Sequence, residues 1–392
     1  MPFSALANWK SQLDEGLRAL EVRSQRRSLA EIHGVNFCSN DYLGLSENMA
    51  LKERVAEAVR SGERVGGTGS RLLSGQAEVW SELEESFAKF AGTESALFFG
   101  SGYAANLGLL TSLAYKDDII FSDERNHASL IDGTRLCGAR KVIYPHLNLN
   151  ALEDALGREN GEDGRKVIVT ESVFSMDGEV APLAEIADLA EKYGAGLIVD
   201  EAHATAVHGE SGRGLTFSAG LAGRVLAVVH TCGKALASAG AFVCGPAVLK
   251  DYLVNHARTF IFSTALPPYL AKQIEAAVEL AKGMDREREM LLERAATFRV
   301  TLQEEGFDIA GSGSQIVPVI LGSNEAALDA AEHLQRAGFA VRGIRPPTVA
   351  SGTSRLRLSL TAGIAERELA RVVELLRAWR AQQGAVVSAR QA

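Results

Sequence analysis

The chain has 392 residues, 46% of them hydrophobic and 23% charged, and carries a net charge of −8. These are globular values, and the length allows a large core or two domains. No run of Lys or Arg forms a basic stripe, which argues against duplex nucleic acid as the main partner, although a local Arg cluster can still serve a small anion.

Residues 4–28 place apolar residues among charges at helical spacing, which predicts an amphipathic helix. They lack the uninterrupted apolar stretch of a signal peptide. No later segment offers a long charge-free apolar span, so a soluble, cytoplasmic protein is expected. VNFCSNDYLGL (35–45) predicts a short strand running into a turn, and GGTGSRLLSG (66–75) an ordered loop with unusual backbone angles.

From there strands and helices alternate. Ser95–Phe99, Ile119–Phe121, Lys141–Tyr144, Lys166–Thr170, Leu197–Val199, Val225–Val229 and Ala241–Cys244 read as strands. Helical patterns lie between most of them, for example at Leu83–Phe90 and Leu183–Tyr193. This predicts an α/β fold with a mostly parallel sheet covered on both faces.

Near Met284 the pattern changes. A polar helix over 283–305 precedes Gln315–Leu321, a helix at 324–336, Ala340–Ile344, a strand at Arg355–Leu360 and a final helix from Ala365, with a fraying tail GAVVSARQA. The expected division is an N-terminal segment (1–50), a large α/β domain (51–283) and a smaller α+β domain (284–392). Cys38, Cys137, Cys232 and Cys244 are scattered without a C-x-x-C pair, so reduced thiols are expected, with no disulfide framework and no metal site.

LIVDEAHATAVHG (197–209) puts Asp200 and His203 just past a buried strand, at the carboxyl edge where open α/β sheets bind ligands. D-E-A-H in a nucleotide-driven motor would require a G-x-x-x-x-G-K-[ST] loop, and the sequence has none. A cofactor enzyme would instead need a lysine at a later strand edge. VVHTCGKALASAG (228–240) supplies Lys234, with Thr231 beside it. That lysine can form a Schiff base with the aldehyde of pyridoxal phosphate, Thr231 can bind the phosphate, and Asp200 can hold the ring nitrogen protonated. A surface lysine and a capping aspartate are the plain readings of either residue alone. Both at strand ends, in this order, favour the cofactor.

The ordered set NDYLGL (40–45), SGYAAN (101–106), NHASLIDG (126–133), TESVFSMDG (170–178), VDEAHA (199–204), T-x-G-K (231–234) and FSTALPP (262–268) resembles the α-oxoamine synthase family of fold-type-I pyridoxal-phosphate enzymes over nearly the whole chain. The resemblance implies roles at matching positions. Lys234 is the cofactor lysine and Asp200 the partner of the ring nitrogen. His127 stacks on the ring and helps to place substrate, while Ser175 and His203 meet the phenolic oxygen. Gly102 and Tyr103 hold the phosphate with backbone N–H groups at a helix start. Ser263 and Thr264 reach a neighbouring subunit's phosphate, which implies a homodimer. Arg357 grips the amino acid's carboxylate, and Thr348, Asn40 and Arg26 contact substrate.

IRPPTVASGTSRLRLSLTA (344–362) most resembles members that join L-alanine to a pimeloyl thioester with loss of CO2, whereas HASLIDGTRLCGAR (127–140) also resembles glycine users. Cys232, where a larger apolar residue is common, and Ala237, where glycine is frequent, depart from the pattern. A pyridoxal-phosphate aminotransferase and a cofactor-free scaffold are the more distant alternatives.

Overall fold

The structure, a computed structural model, describes residues 5–391 except 30, 32, 63, 162 and 163. The predicted start of the first helix at Ser4 lies outside the described residues. The helix itself spans Ala5–Val22.

The strands in chain order are β1 (Val35–Asn36), β2 (Ser95–Phe99), β3 (Ile119–Asp123), β4 (Arg140–Tyr144), β5 (Lys166–Glu171), β6 (Ala195–Asp200), β7 (Ala227–Thr231), β8 (Ala241–Gly245), β9 (Ile316–Gly322), β10 (Phe339–Ala340), β11 (Gly343–Ile344) and β12 (Ser354–Ser359). Seven of them form one sheet in the order β2-β8-β7-β6-β5-β3-β4. All its pairings are parallel except those of β8, which runs antiparallel to β2 and β7. The turn between β7 and β8 is therefore a hairpin, and it carries Lys234.

Period-two alternation decides what each face of this sheet buries. Val167, Val169 and Ile198 point into one core, against the helices Gly102–Leu113 and Ala247–His256. Ile168, Leu197 and Val199 point into another, against Leu149–Arg158 and Leu183–Lys192. Each such fully buried aliphatic side chain contributes about 1.5–3 kcal/mol relative to an exposed one. A further core runs from Phe87, Phe98 and Phe242 to Val317, Leu356 and Leu358 of the C-terminal strands. The large sheet and the C-terminal layer are thus packed through continuous apolar contact.

The C-terminal sheet has the order β11-β12-β9. Ala340–Ile344 is not one strand, because its halves find different partners. Phe339–Ala340 pairs in parallel with Val35–Asn36, while Gly343–Ile344 pairs with β12. The N-terminal segment is thereby fastened to the C-terminal layer. The last helix continues from Glu366 to Gln391, through the tail expected to fray. Ala and Arg residues on either side of Gly384 are good helix formers, and a single glycine costs only about 1 kcal/mol. Among the described residues no helix is long and apolar enough to cross a membrane.

Candidate active site

β5, β6 and β7 end side by side at Glu171, Asp200 and Thr231, with Glu171 and Asp200 as register partners. β7 starts and stops two residues later than the apolar run suggested, because its ladder with β8 extends to the Thr231–Ala241 pair. Just beyond it, Cys232 N–H donates to Gly240 O and Ser238 N–H to Cys232 O, which closes a tight turn and turns Lys234 back toward the strand ends.

Lys234 Nζ lies 2.8 Å from His203 Nε2, and His203 Nδ1 lies 2.6 Å from the Tyr42 hydroxyl. Tyr42 donates to Asn40 Oδ1 at 3.1 Å, and Asn40 Oδ1 also accepts from Arg357 Nη2 at 3.1 Å. Arg357 further donates from Nε to Ser175 O at 2.6 Å and from Nη1 to Ser359 Oγ at 2.6 Å. A hydrogen-bonded line thus joins the predicted amine, His203, Asn40 and the predicted carboxylate clamp. The Lys234 amine is pushed down to about 8 by burial, against the pull of Asp200 and Glu171, and Arg357 pushes in the same direction as burial. His203 is lowered well below the ordinary histidine range by burial and the positive charges of Lys234 and Arg357.

Asp200 is buried and accepts Ala202 N–H on Oδ1 at 2.8 Å and Asn106 Nδ2–H on Oδ2 at 2.7 Å. Glu171, beside it, is pushed up to about 8 by burial and by Asp200. Ser101 caps the helix Gly102–Leu113 by accepting Ala104 N–H, which leaves the first N–H groups of that helix for an anion. A Cβ placed on Gly102 would meet Thr231 Oγ1 at 3.5 Å, so the helix start and Thr231 form one cradle.

These residues fit pyridoxal phosphate: a buried amine of lowered basicity, a buried carboxylate fixed through both oxygens, and a helix N-terminus beside a threonine. Arg357 and Arg355, neighbours on one face of β12, differ in their partners. Arg355 forms an ion pair with Asp177. Arg357 is 9% exposed and, among the described residues, has no acidic side chain paired with it. A buried guanidinium without an anion is unfavourable, and an anionic ligand would offset that cost.

The structure does not bring every predicted residue to this place. Arg26 pairs with Glu21 near the surface, while its neighbour Arg27 donates to Thr348 Oγ1 at 3.1 Å. Ser263 and Thr264 are exposed and lie against the Gly-rich loop, through a Ser70–Thr264 bridge and Ala265 N–H donating to Gly69 O. That loop needs its glycines, since a Cβ on Gly67 would stand 2.2 Å from Ala265 O. Ala237 adopts φ 43°, the left-handed region that favours glycine, which accounts for the glycine frequent there in the family it resembles. Cys232 is wholly buried in the core.

Tyr42, Asn106, Ser129, Glu171 and Gln315 were not singled out from the sequence. The first four fall inside the motifs NDYLGL, SGYAAN, NHAS and TES, a signal that could have found them. Gln315 had none: its Nε2 donates to His203 O at 2.8 Å from a distant strand edge.

A family model described as aminotransferase class I and II matches residues 32–376. The chain is 48% identical over 343 residues to 8-amino-7-oxononanoate synthase of Geobacter sulfurreducens, covering 86% of this chain and 87% of that protein. Among solved structures it resembles serine palmitoyltransferase from S. paucimobilis with a bound PLP–myriocin aldimine (TM-score 0.88, 28% identity, 98% of this chain and 100% of that one). It also resembles 8-amino-7-oxononanoate synthase from Francisella tularensis (TM-score 0.78, 29% identity, 89% of this chain and 98% of that one).

Proposed function

The chain belongs to the class I and II aminotransferase family, in the group whose members are named 8-amino-7-oxononanoate synthase, and we propose that it condenses L-alanine with a pimeloyl thioester in biotin biosynthesis, giving 8-amino-7-oxononanoate, CO2 and the free thiol. The observation that carries this reading is the line from the unpaired Arg357 through Asn40, Tyr42 and His203 to the Lys234 amine. An amino acid held by its carboxylate at one end is thereby set against a base at the other.

Pyridoxal phosphate, the cofactor, supplies when bound an electron sink for the pair left on the amino acid's Cα. Lys234 takes the Cα proton and later returns one, a task suited to an amine whose basicity burial has lowered toward neutrality. His203, neutral and accepting at Nε2, holds that amine in position. Asp200, its oxygens fixed by Ala202 and Asn106, would set its carboxylate against the cofactor's ring nitrogen. Gly102, Tyr103 and Thr231 would bind the phosphate, Ser175 would meet the phenolic oxygen, and His127 would cover the ring face. Arg357 restricts the carboxylate to one orientation, so that the bond to be broken is presented in a fixed pose.

The working unit in this reading is a cytoplasmic homodimer. Ser263, Thr264 and the loop 66–75 form one surface element, which also exposes the large apolar side chains Leu72, Leu73 and Phe262. A second copy covers that element and receives Ser263 and Thr264 at its own phosphate cradle.

The decisive measurement compares kcat/KM for alanine with a pimeloyl thioester against glycine with an acetyl or succinyl thioester. One methyl group shifts selectivity by only about 1–3 kcal/mol, so the acyl chain is the sharper discriminator. A preference for the glycine pair by about tenfold, or about 1.4 kcal/mol, would overturn the substrate assignment and leave the family chemistry.

A further inference from the structure

We propose that Asn106 and Ser129 are positioning residues that tie Asp200 to His127 and fix His127 as the tautomer with its proton on Nε2. The inference rests on the reading of this site as the pyridoxal phosphate site, but on no choice of amino acid or thioester.

Asn106 Nδ2 lies 2.7 Å from Asp200 Oδ2 and 2.9 Å from Ser129 Oγ. Ser129 Oγ in turn lies 2.8 Å from His127 Nδ1. Asn106, Ser129 and Asp200 are all buried, so water does not compete for these contacts. The direction of each hydrogen bond then follows from which atoms are able to donate. Asp200 accepts on both oxygens, so the atom facing Oδ2 is the amide nitrogen of Asn106, and the orientation of that amide is settled. Its second hydrogen finds Ser129 Oγ as acceptor. The serine hydrogen is left to donate, and the acceptor within reach is His127 Nδ1.

Backbone geometry points the same way through a longer contact, which supports the hydroxyl but does not replace it. His127 caps the helix Ala128–Leu136 by accepting Ser129 N–H on Nδ1 at 3.2 Å. With donors arriving from both the backbone and the hydroxyl of Ser129, Nδ1 has no place for a hydrogen. In a neutral imidazole the proton then sits on Nε2, the tautomer being set by what the other nitrogen meets. Burial, aided by Lys234 and opposed by Asp200, keeps the neutral form favoured.

Among the described residues, the buried Asn106 Oδ1 has no hydrogen-bond partner. An orphaned acceptor is destabilising, so this side chain is explained by what its nitrogen donates. Asn106 also stands one turn along the helix whose first N–H groups face the phosphate cradle. A single helix thus locates the phosphate, fixes Asp200 and orders the protons on His127, leaving Nε2–H as the one donor that ring offers a ligand.

The test is 15N NMR of cofactor-loaded protein labelled in histidine, with His127 assigned by the signals lost in His127→Gln. Wild type should show a single Nε2–H tautomer. Asn106→Leu and Ser129→Ala should convert it to a mixture, shift the cofactor's absorbance and lower kcat about tenfold or more, with the pimeloyl thioester KM and the melting temperature little changed. Ser129→Thr, which keeps the hydroxyl, should restore the wild-type pattern. An Nδ1–H tautomer in wild type, or an unchanged tautomer and absorbance in both disruptive variants, would overturn the proposal. If Asn106→Leu does not fold, the two Ser129 variants decide the matter. Because the tautomer is read without an acyl donor, failure of the substrate assignment leaves this result standing on its own.

Discussion

Lys234 Nζ and His203 Nε2 stand 2.8 Å apart, and the bonds behind His203 fix which of the two donates. Tyr42 spends its hydroxyl hydrogen on Asn40 Oδ1, so it accepts from His203 Nδ1. Nε2 is left with a lone pair facing the amine. His203 therefore receives a hydrogen from Lys234 and acts as a neutral support.

The lowered basicity of Lys234 sets a pH dependence. Below about 8 the amine is mostly protonated and cannot attack an aldehyde; above it the neutral amine predominates. Capture of pyridoxal phosphate by cofactor-free protein should accelerate about tenfold per pH unit below that value and level off above it. Stopped-flow absorbance measures this, and borohydride reduction with peptide mapping should place the label on Lys234. A break near the ordinary lysine value of 10.5, or a label on another lysine, contradicts the assignment.

Asp200→Asn keeps the size and one of the two accepted hydrogen bonds but removes the negative charge proposed to face the ring nitrogen. The fold should be retained while kcat falls by about 10²–10³-fold, the usual scale for losing one preorganised electrostatic group. Near wild-type turnover with bound cofactor would remove Asp200 from the mechanism.

The paired arginines of β12 should separate by phenotype. Arg357→Met should raise KM for alanine by about 10- to 100-fold, as expected for a lost charged hydrogen bond, with little change in melting temperature. Arg355→Met breaks a buried ion pair with Asp177, which keeps Arg125 as a second partner, and should destabilise by about 1–3 kcal/mol. Steady-state kinetics and denaturant unfolding read the two effects, and the reverse pattern would exchange the roles.

Arg27, rather than Arg26, touches Thr348. Arg27→Ala should raise KM for the thioester several-fold, whereas Arg26→Ala should leave it unchanged, since Arg26 pairs with Glu21 instead. Equal effects from both would mean that Thr348 is not the relevant neighbour.

Subunit sharing is testable by mixing. Lys234→Ala subunits combined with Thr264→Arg subunits should recover part of the activity that each lacks alone, because one site in the mixed dimer retains both groups. A fully active monomer in sedimentation would sink the shared-site reading.

The sequence by itself determined the strands and the chemistry at their ends. Continuous apolar runs specify β5, β6 and β7, and the polar residues that follow them mark the sheet edge, so Asp200, Thr231 and Lys234 were legible as a set. Those signals are local, because strand period and turn chemistry are properties of neighbouring residues. Tertiary structure decided which side chains meet. Asn106 finds Asp200 across 94 residues, Tyr42 finds His203 across 161, and Arg357 finds Asn40 across 317. It also decided that Arg355 pairs with Asp177 while its neighbour two residues on has no acidic partner among the described residues, and that Arg27 rather than Arg26 turns to Thr348. A hydrogen bond requires two atoms within about 3 Å. Only the packing of whole elements on a common core sets distances that fine between residues so far apart in the chain.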